Sequence, residues 1–155
     1  MQHRNIAFIG AGNMSRSIIS GMCNSGYPVD KIIASNPSMP KLDALKKDFS
    51  IQITQQNKQA VEQAQVIVLA VKPQLMETMC ADLKDNVALK DKLFISIAAG
   101  IETARLSEML GGQDNIIRTM PNTPSSLGKG MTGLYAPTNV SQQNRQYAGD
   151  LMSQV

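Results

Sequence analysis

The sequence has no tryptophan, three phenylalanines and three tyrosines. So few aromatic faces argue against base stacking as a means of binding single-stranded nucleic acid. There is one histidine, His3, and two distant cysteines, Cys23 and Cys80. That set supplies neither a zinc site nor a His-centred nucleophilic triad, and no metal is expected. The cysteines form no CxxC pair and each falls on the apolar face of a helix-like segment, so they read as reduced core thiols. No apolar run approaches the length of a membrane span. Asn5 to Ile9 is too short for the core of a signal peptide and leads directly into glycines. The expected location is the cytoplasm. The net charge of +3 is mild and no Lys/Arg run is dense enough for a nucleic-acid patch. An anionic small ligand suits that charge equally well.

What remains is ordinary for a globular domain: 155 residues, 43% hydrophobic and 17% charged. Short apolar runs alternate with amphipathic segments of helical length. Strands are expected at Asn5 to Ile9, Lys31 to Ser35, Ile51 to Ile53, Val66 to Val71, Leu93 to Ala98, Ile116 to Thr119 and Met131 to Tyr135. Helices are expected from Met14 to Asn24, Ser38 to Lys47, Asn57 to Ala64, Pro73 onward, Thr103 to Leu110 and Ser141 to Val155. Ser38, Asn57 and Ser141 are the expected caps. The alternation predicts an α/β fold: a doubly wound, mostly parallel sheet with right-handed crossovers. Val66 to Val71, the most apolar run, should be a central strand buried on both faces. The sequence stops at Val155 in or just after a helix, so the fold reads as cut and not finished.

Phe8 to Ser15 reads GxGxxS between a strand and a helix. Gly10 would permit the tight turn and Gly12 the close approach of a pyrophosphate. Ser15 stands in the third glycine's place. The helix that follows would aim its N–H groups and dipole at phosphate. The second strand ends Ala34-Ser35-Asn36-Pro37, with no acid at its tip to bind ribose hydroxyls. Ser35 and Asn36 could instead donate to a 2′-phosphate, with Lys41 or Arg16 supplying charge. That favours NADP(H), with NAD(H) the alternative if the segment is a plain turn.

After the central strand, Ala70-Val71-Lys72-Pro73 lies where ligands sit in open α/β sheets. Lys72 either approaches the cofactor or is a solvated loop lysine. Ala98-Ala99-Gly100 supplies small residues at the same edge, for a flat ring or for packing. Arg118-Thr119-Met120-Pro121-Asn122-Thr123-Pro124 holds an asparagine between two X-Pro units. It reads as a stiff loop carrying Asn122, either a site wall or a strand-ending turn.

Assembled in order, these segments resemble pyrroline-5-carboxylate reductase. The carriers are Phe8-Ile9-Gly10-Ala11-Gly12-Asn13-Met14, Ala34 to Pro37, Asn57, Val68 to Gln74, Ser96 to Ile101, and Arg118 to Pro124 with Gly128 and Gly130 after it. The resemblance implies that Ile9, Gly10, Ala11, Gly12, Asn13 and Met14 bind the pyrophosphate, and Asn36 the adenosine ribose or its 2′-phosphate. It implies that Asn57, Ala70, Val71, Lys72 and Pro73 hold the adenosine side. Ile97, Ala98, Ala99, Met120, Pro121 and Asn122 would border the nicotinamide. The implied reaction is hydride transfer from NAD(P)H to the C=N of 1-pyrroline-5-carboxylate, giving L-proline. No catalytic acid is assigned, because the imine carbon is already electrophilic once its nitrogen is protonated.

The family carries a second, helical domain that forms the homo-oligomer and completes the substrate pocket. Nothing in the sequence matches it. The expectation is therefore a cofactor-binding domain spanning residues 1–155, truncated, which binds cofactor and turns over little alone. The competing readings are another two-domain NADP-dependent dehydrogenase, such as a hydroxyacid dehydrogenase or a deazaflavin-dependent NADP reductase, and a non-catalytic NADP-binding module.

Overall fold

The computed structural model describes residues 2–121 and 132–153. Its core is a seven-stranded sheet. The strands are β1 (Ile6–Ile9), β2 (Ile32–Ser35), β3 (Gln52–Thr54), β4 (Val66–Leu69), β5 (Leu93–Ser96), β6 (Ile116–Pro121) and β7 (Thr132–Tyr135). The helices are α1 (Asn13–Asn24), α2 (Met39–Phe49), α3 (Asn57–Glu62), α4 (Pro73–Asn86), α5 (Thr103–Met109) and α6 (Gln142–Met152). The spatial order is β3-β2-β1-β4-β5-β6-β7, with β1 to β6 parallel and β7 antiparallel to β6. The expected doubly wound, mostly parallel sheet is what forms.

Period-2 alternation explains why the central strands are apolar throughout. Ile6 and Phe8 of β1, with Val66 and Val68 of β4, face a layer made by Ile18, Ile19 and Met22 of α1, Leu45 of α2 and Tyr147 and Leu151 of α6. Ala7, Ile9, Ile67 and Leu69 face the opposite layer, where α3, α4 and α5 contribute Val61, Met76, Cys80, Leu83 and Leu106. Burial of Cys80 pushes its thiol up to about 11, as a core cysteine requires.

Element ends follow local chemistry, with some departures from expectation. Gly26 stops α1 with φ +88, and its N–H donates to the Cys23 carbonyl. Ser141 caps α6 as expected, its Oγ accepting from the Asn144 N–H at 3.1 Å. Ser38 occupies the N-cap of α2 but makes no side-chain cap bond. Asn57 is not a cap: it is the first residue of α3, and its side chain reaches across to β2. β6 also runs past Thr119 to Pro121, because Met120 and Pro121 pair with Gly133 and Thr132 of β7. The Met120-Pro121 pair is thus strand backbone, and not the irregular loop that its proline suggested. A terminal strand position tolerates a residue without a donor.

Candidate functional site

Register brings the carboxyl ends of five strands into one row. Ile9 lies beside Ser35 and Leu69, Leu69 beside Ser96, and Ser96 beside Arg118. The segments singled out in the sequence leave the sheet from this row. The chain order reverses between β1 and β4, which opens the crevice where α/β sheets receive ligands.

The glycine loop is held from three sides. The Gly10 N–H donates to the Ser35 carbonyl at 2.8 Å, and the Ala70 N–H to the Ile9 carbonyl at 2.9 Å. The Ala11 N–H donates to Asn36 Oδ1 at 3.2 Å. Ser15 Oγ, buried, donates to the Gly10 carbonyl at 2.7 Å, so this serine ties the loop as well as fitting in place of a glycine.

The two glycines stand in different surroundings. Gly10 has φ +110, and a Cβ there would lie 2.7 Å from the Ala70 carbonyl oxygen. The fold itself excludes a side chain at that position. Gly12 has φ −78 and ψ −173, extended geometry open to any residue. A Cβ on Gly12 would meet nothing within 4 Å. No described residue of the fold therefore requires a glycine here, and the space above Gly12 is open. Gly12 is also the N-cap of α1 and supplies no side-chain cap bond. The first-turn N–H groups of that helix therefore face the same space without an intrahelical partner.

The tip of β2 differs from its sequence reading. Ser35 is fully buried and its Oγ donates to Asn57 Oδ1 at 2.6 Å. It and Asn57 join β2 to the start of α3. Asn36 accepts from Ala11 N–H and donates through Nδ2 to the Ser38 carbonyl at 3.1 Å. Both ends of its amide thus join the glycine loop to the entry of α2. Nothing in a Ser-Asn-Pro string distinguishes a ligand-facing serine from one turned into the sheet.

Along the remaining edge, Ala70 and Val71 are half-buried, while Lys72 and Pro73 are exposed at the start of α4. The Ile97 N–H donates to the Leu69 carbonyl at 3.2 Å and the Ala98 N–H to Ser96 Oγ at 3.3 Å. Ala99 and Gly100, the latter with φ +79, are exposed at the edge. Thr119 Oγ1 donates to the Ser96 carbonyl at 3.4 Å, and β6 continues to Pro121, past its last pair with β5 at Arg118. Met120 and Pro121 therefore extend β6 past the end of β5, paired only with β7. Asn122 lies outside the described residues.

The opposite, amino edge carries the buried polar cluster. Tyr27 donates its hydroxyl to the Arg4 carbonyl, so Tyr147 donates to Tyr27, at 2.7 Å. The Arg4 guanidinium lies over the Tyr147 ring at 4.7 Å. Burial pushes both tyrosines up and pushes Lys92, which donates to the Ala64 carbonyl at 2.6 Å, down. These perturbed groups lie away from the glycine loop and belong to stability.

The family described as NADP oxidoreductase coenzyme F420-dependent matches residues 5–100, more than half of the chain. The chain belongs to that family. Among individual members, it is 48% identical over its whole length to a pyrroline-5-carboxylate reductase of Vibrio alginolyticus, of which it spans 57%. A pyrroline-5-carboxylate reductase structure from Coxiella burnetii superposes with a TM-score of 0.94 at 40% identity, covering 99% of this chain and 57% of that one. The Plasmodium falciparum pyrroline carboxylate reductase, solved with NADP bound, gives 0.83 at 27% identity, covering 99% and 56%. The chain spans somewhat more than half the length of these relatives. The resemblance carried by the glycine loop and the Lys72-Pro73 and Met120-Pro121 segments is borne out.

Proposed function

We propose that the chain is the cofactor-binding part of a pyrroline-5-carboxylate reductase. It binds NADP(H) along the carboxyl edge, for reduction of 1-pyrroline-5-carboxylate to L-proline in the cytoplasm. The observation that carries the reading is Gly12: an open position with no structural need for glycine, beneath an uncapped helix N-terminus. Similarity over the whole of this chain to pyrroline-5-carboxylate reductases, of which it spans 57%, supports that reaction.

Bound NADPH supplies the hydride. In this reading Gly10 to Met14 hold the pyrophosphate through backbone N–H groups. Asn57, through Ser35, and Asn36 fix the loops around the adenosine side. Ala70 to Pro73 line the middle of the cofactor. The Ile97–Ala99 segment presents small side chains against the nicotinamide, with the Met120-Pro121 overhang as its flank and Asn122 beyond it. Orientation and exclusion of water are the chain's contribution, and a protonated imine needs little more from it. Substrate recognition and homo-oligomer formation fall to a further domain of the full-length protein.

Titration of the 155-residue chain with NADPH, together with an imine-reduction assay of the full-length protein, tests the reading. Saturable NADPH binding with little turnover by the chain, and proline formation by the full-length protein, are expected. Absence of NADPH binding refutes it. The family's description also names coenzyme F420; F420-dependent NADP reduction by the full-length protein in place of imine reduction would move the assignment to that reaction.

A further inference from the structure

Among the described residues four serine and threonine side chains are buried: Ser15, Ser35, Ser96 and Thr119. All four lie at the carboxyl edge of the sheet or in the first turn that follows it. Ser15 and Ser35 make short bonds, at 2.7 and 2.6 Å, beside the glycine loop and at the tip of β2. Ser96 and Thr119 form a separate link at the other end of the row. The Ala98 N–H donates to Ser96 Oγ at 3.3 Å, and Thr119 Oγ1 donates to the carbonyl of the same serine at 3.4 Å. Ser96 thus receives a bond from the segment that follows β5 and another from the end of β6. Thr119 stands one residue beyond Arg118, the last position at which β6 is in register with β5. From there β6 is paired with β7, so the threonine hydroxyl joins β5 and β6 at the point where they part. Both bonds are long, and their net contribution to stability is correspondingly small. Their effect is geometric: they fix one segment against the other.

We propose that Ser96 and Thr119 are positioning residues for hydride transfer, acting through the Ala98-Ala99 and Met120-Pro121 backbone that they tie together. The inference rests on the proposed function, which sets those two segments against the nicotinamide. Both hydroxyls are fully buried, so neither touches a ligand and neither is a catalytic group. The hydride passes from the nicotinamide ring carbon to the imine carbon over a short, directed path, and the rate of that step falls steeply when donor and acceptor are misplaced. In this reading the glycine loop supplies much of the cofactor's binding energy from the other end of the row. Loosening the link between β5 and β6 should therefore slow the chemical step and leave cofactor affinity nearly as it was.

The test compares two measurements. One is calorimetric titration of the 155-residue chain with NADPH. The other is single-turnover hydride transfer by the full-length protein with 1-pyrroline-5-carboxylate, read from the loss of NADPH absorbance. Thr119→Val keeps the shape of the side chain and removes the hydroxyl. It is expected to slow hydride transfer about tenfold, less than the roughly hundredfold cost of a displacement of about 1 Å. NADPH affinity should stay within about twofold of the unaltered chain. NADPH deuterated at the transferred position should react more slowly in the variant, which shows that the hydride step is the one observed. Thr119→Ser keeps the hydroxyl and should keep the rate. Ser96→Ala, which removes the acceptor for the Ala98 N–H, should act in the same direction as Thr119→Val, and decides the matter if that variant does not fold. An unchanged rate, a fall in rate matched by an equal fall in affinity, or a Thr119→Ser as slow as Thr119→Val overturns the inference. If the unaltered full-length protein transfers no hydride to the imine, it is the proposed function that fails.

Discussion

Gly12→Val separates the needs of the ligand from those of the fold. The valine Cβ would have no protein atom within 4 Å, and φ −78 with ψ −173 is a backbone geometry that a β-branched residue adopts readily. The cost to stability should be that of replacing glycine by a poor N-cap residue, about 0.5–1 kcal/mol. For a domain of this size that is a fall in Tm of about 2–4 °C. Binding should behave quite differently. The added methyls would occupy the space beneath the α1 N-terminus and hold a pyrophosphate away from the N–H groups. Loss of two or more charge-assisted hydrogen bonds, each worth about 1.5–3 kcal/mol, predicts at least a hundredfold weaker NADPH binding. Gly10→Ala is the contrasting control: φ +110 and a 2.7 Å approach to the Ala70 carbonyl should destabilise the fold itself, by about 2 kcal/mol or more. Calorimetric titration and thermal melting of both variants decide the matter. A folded Gly12→Val that binds NADPH at the unaltered affinity refutes the cradle. A Gly12→Val that fails to fold refutes the claim that the position is structurally indifferent.

Ser35→Ala should leave Asn57 Oδ1 without its donor and cost about 1–2 kcal/mol in urea denaturation, with the NADPH-to-NADH preference unchanged; a changed preference would return Ser35 to the ligand. Tyr147→Phe should lower stability by about 0.5–1.5 kcal/mol, since the hydroxyl it removes is a buried donor to Tyr27. The tyrosines also predict a pH dependence. Burial raises both, so above about pH 10 the unfolded chain loses protons that the native state keeps, and stability falls as pH rises. Urea midpoints between about pH 8 and 11 should show this fall, and Tyr147→Phe should flatten it; a flat profile in the unaltered chain contradicts the burial. Cys80, with its thiol pushed up to about 11, should resist a disulfide reagent near neutral pH until the protein unfolds. Labelling at the rate of a free thiol would show that the face of α4 that carries Cys80 is not packed against the sheet.

The order of strands and helices was legible because the chain follows period 2 and period 3.6 consistently, and because Gly26, Pro73 and the Gly111-Gly112 pair stop or start helices at local cost. Boundaries were lost where tertiary pairing overrode local preference. The proline in Met120-Pro121 suggested a break, yet β7 returns antiparallel and draws both residues into the sheet. The loops of the site were legible as a set, since glycine, small residues and X-Pro units cluster where backbone must approach a ligand. The work of individual polar side chains was not. Ser35, Asn36 and Asn57 have the chemistry of ligand donors, but their hydrogen bonds go to each other's segments and to the glycine loop. Which partner a hydroxyl or amide takes depends on strand register, and a single sequence does not display it.

This use of polar side chains accounts for how little catalytic equipment the sequence shows. On the amino edge, polar groups stabilise: Arg4, Tyr27 and Tyr147 tie the N-terminal arm and the loop after α1 to α6. On the carboxyl edge they hold loops in place, which in the proposed function leaves backbone N–H groups and small side chains to face the cofactor. A site built of backbone offers an already polarised electrophile little beyond position. For a hydride acceptor whose nitrogen carries a proton before it arrives, position is the main requirement. The functional variation of such a site should then lie in the few side chains at its border that remain uncommitted. Lys41 and Lys72 are such side chains: both are exposed, and neither forms an ion pair among the described residues.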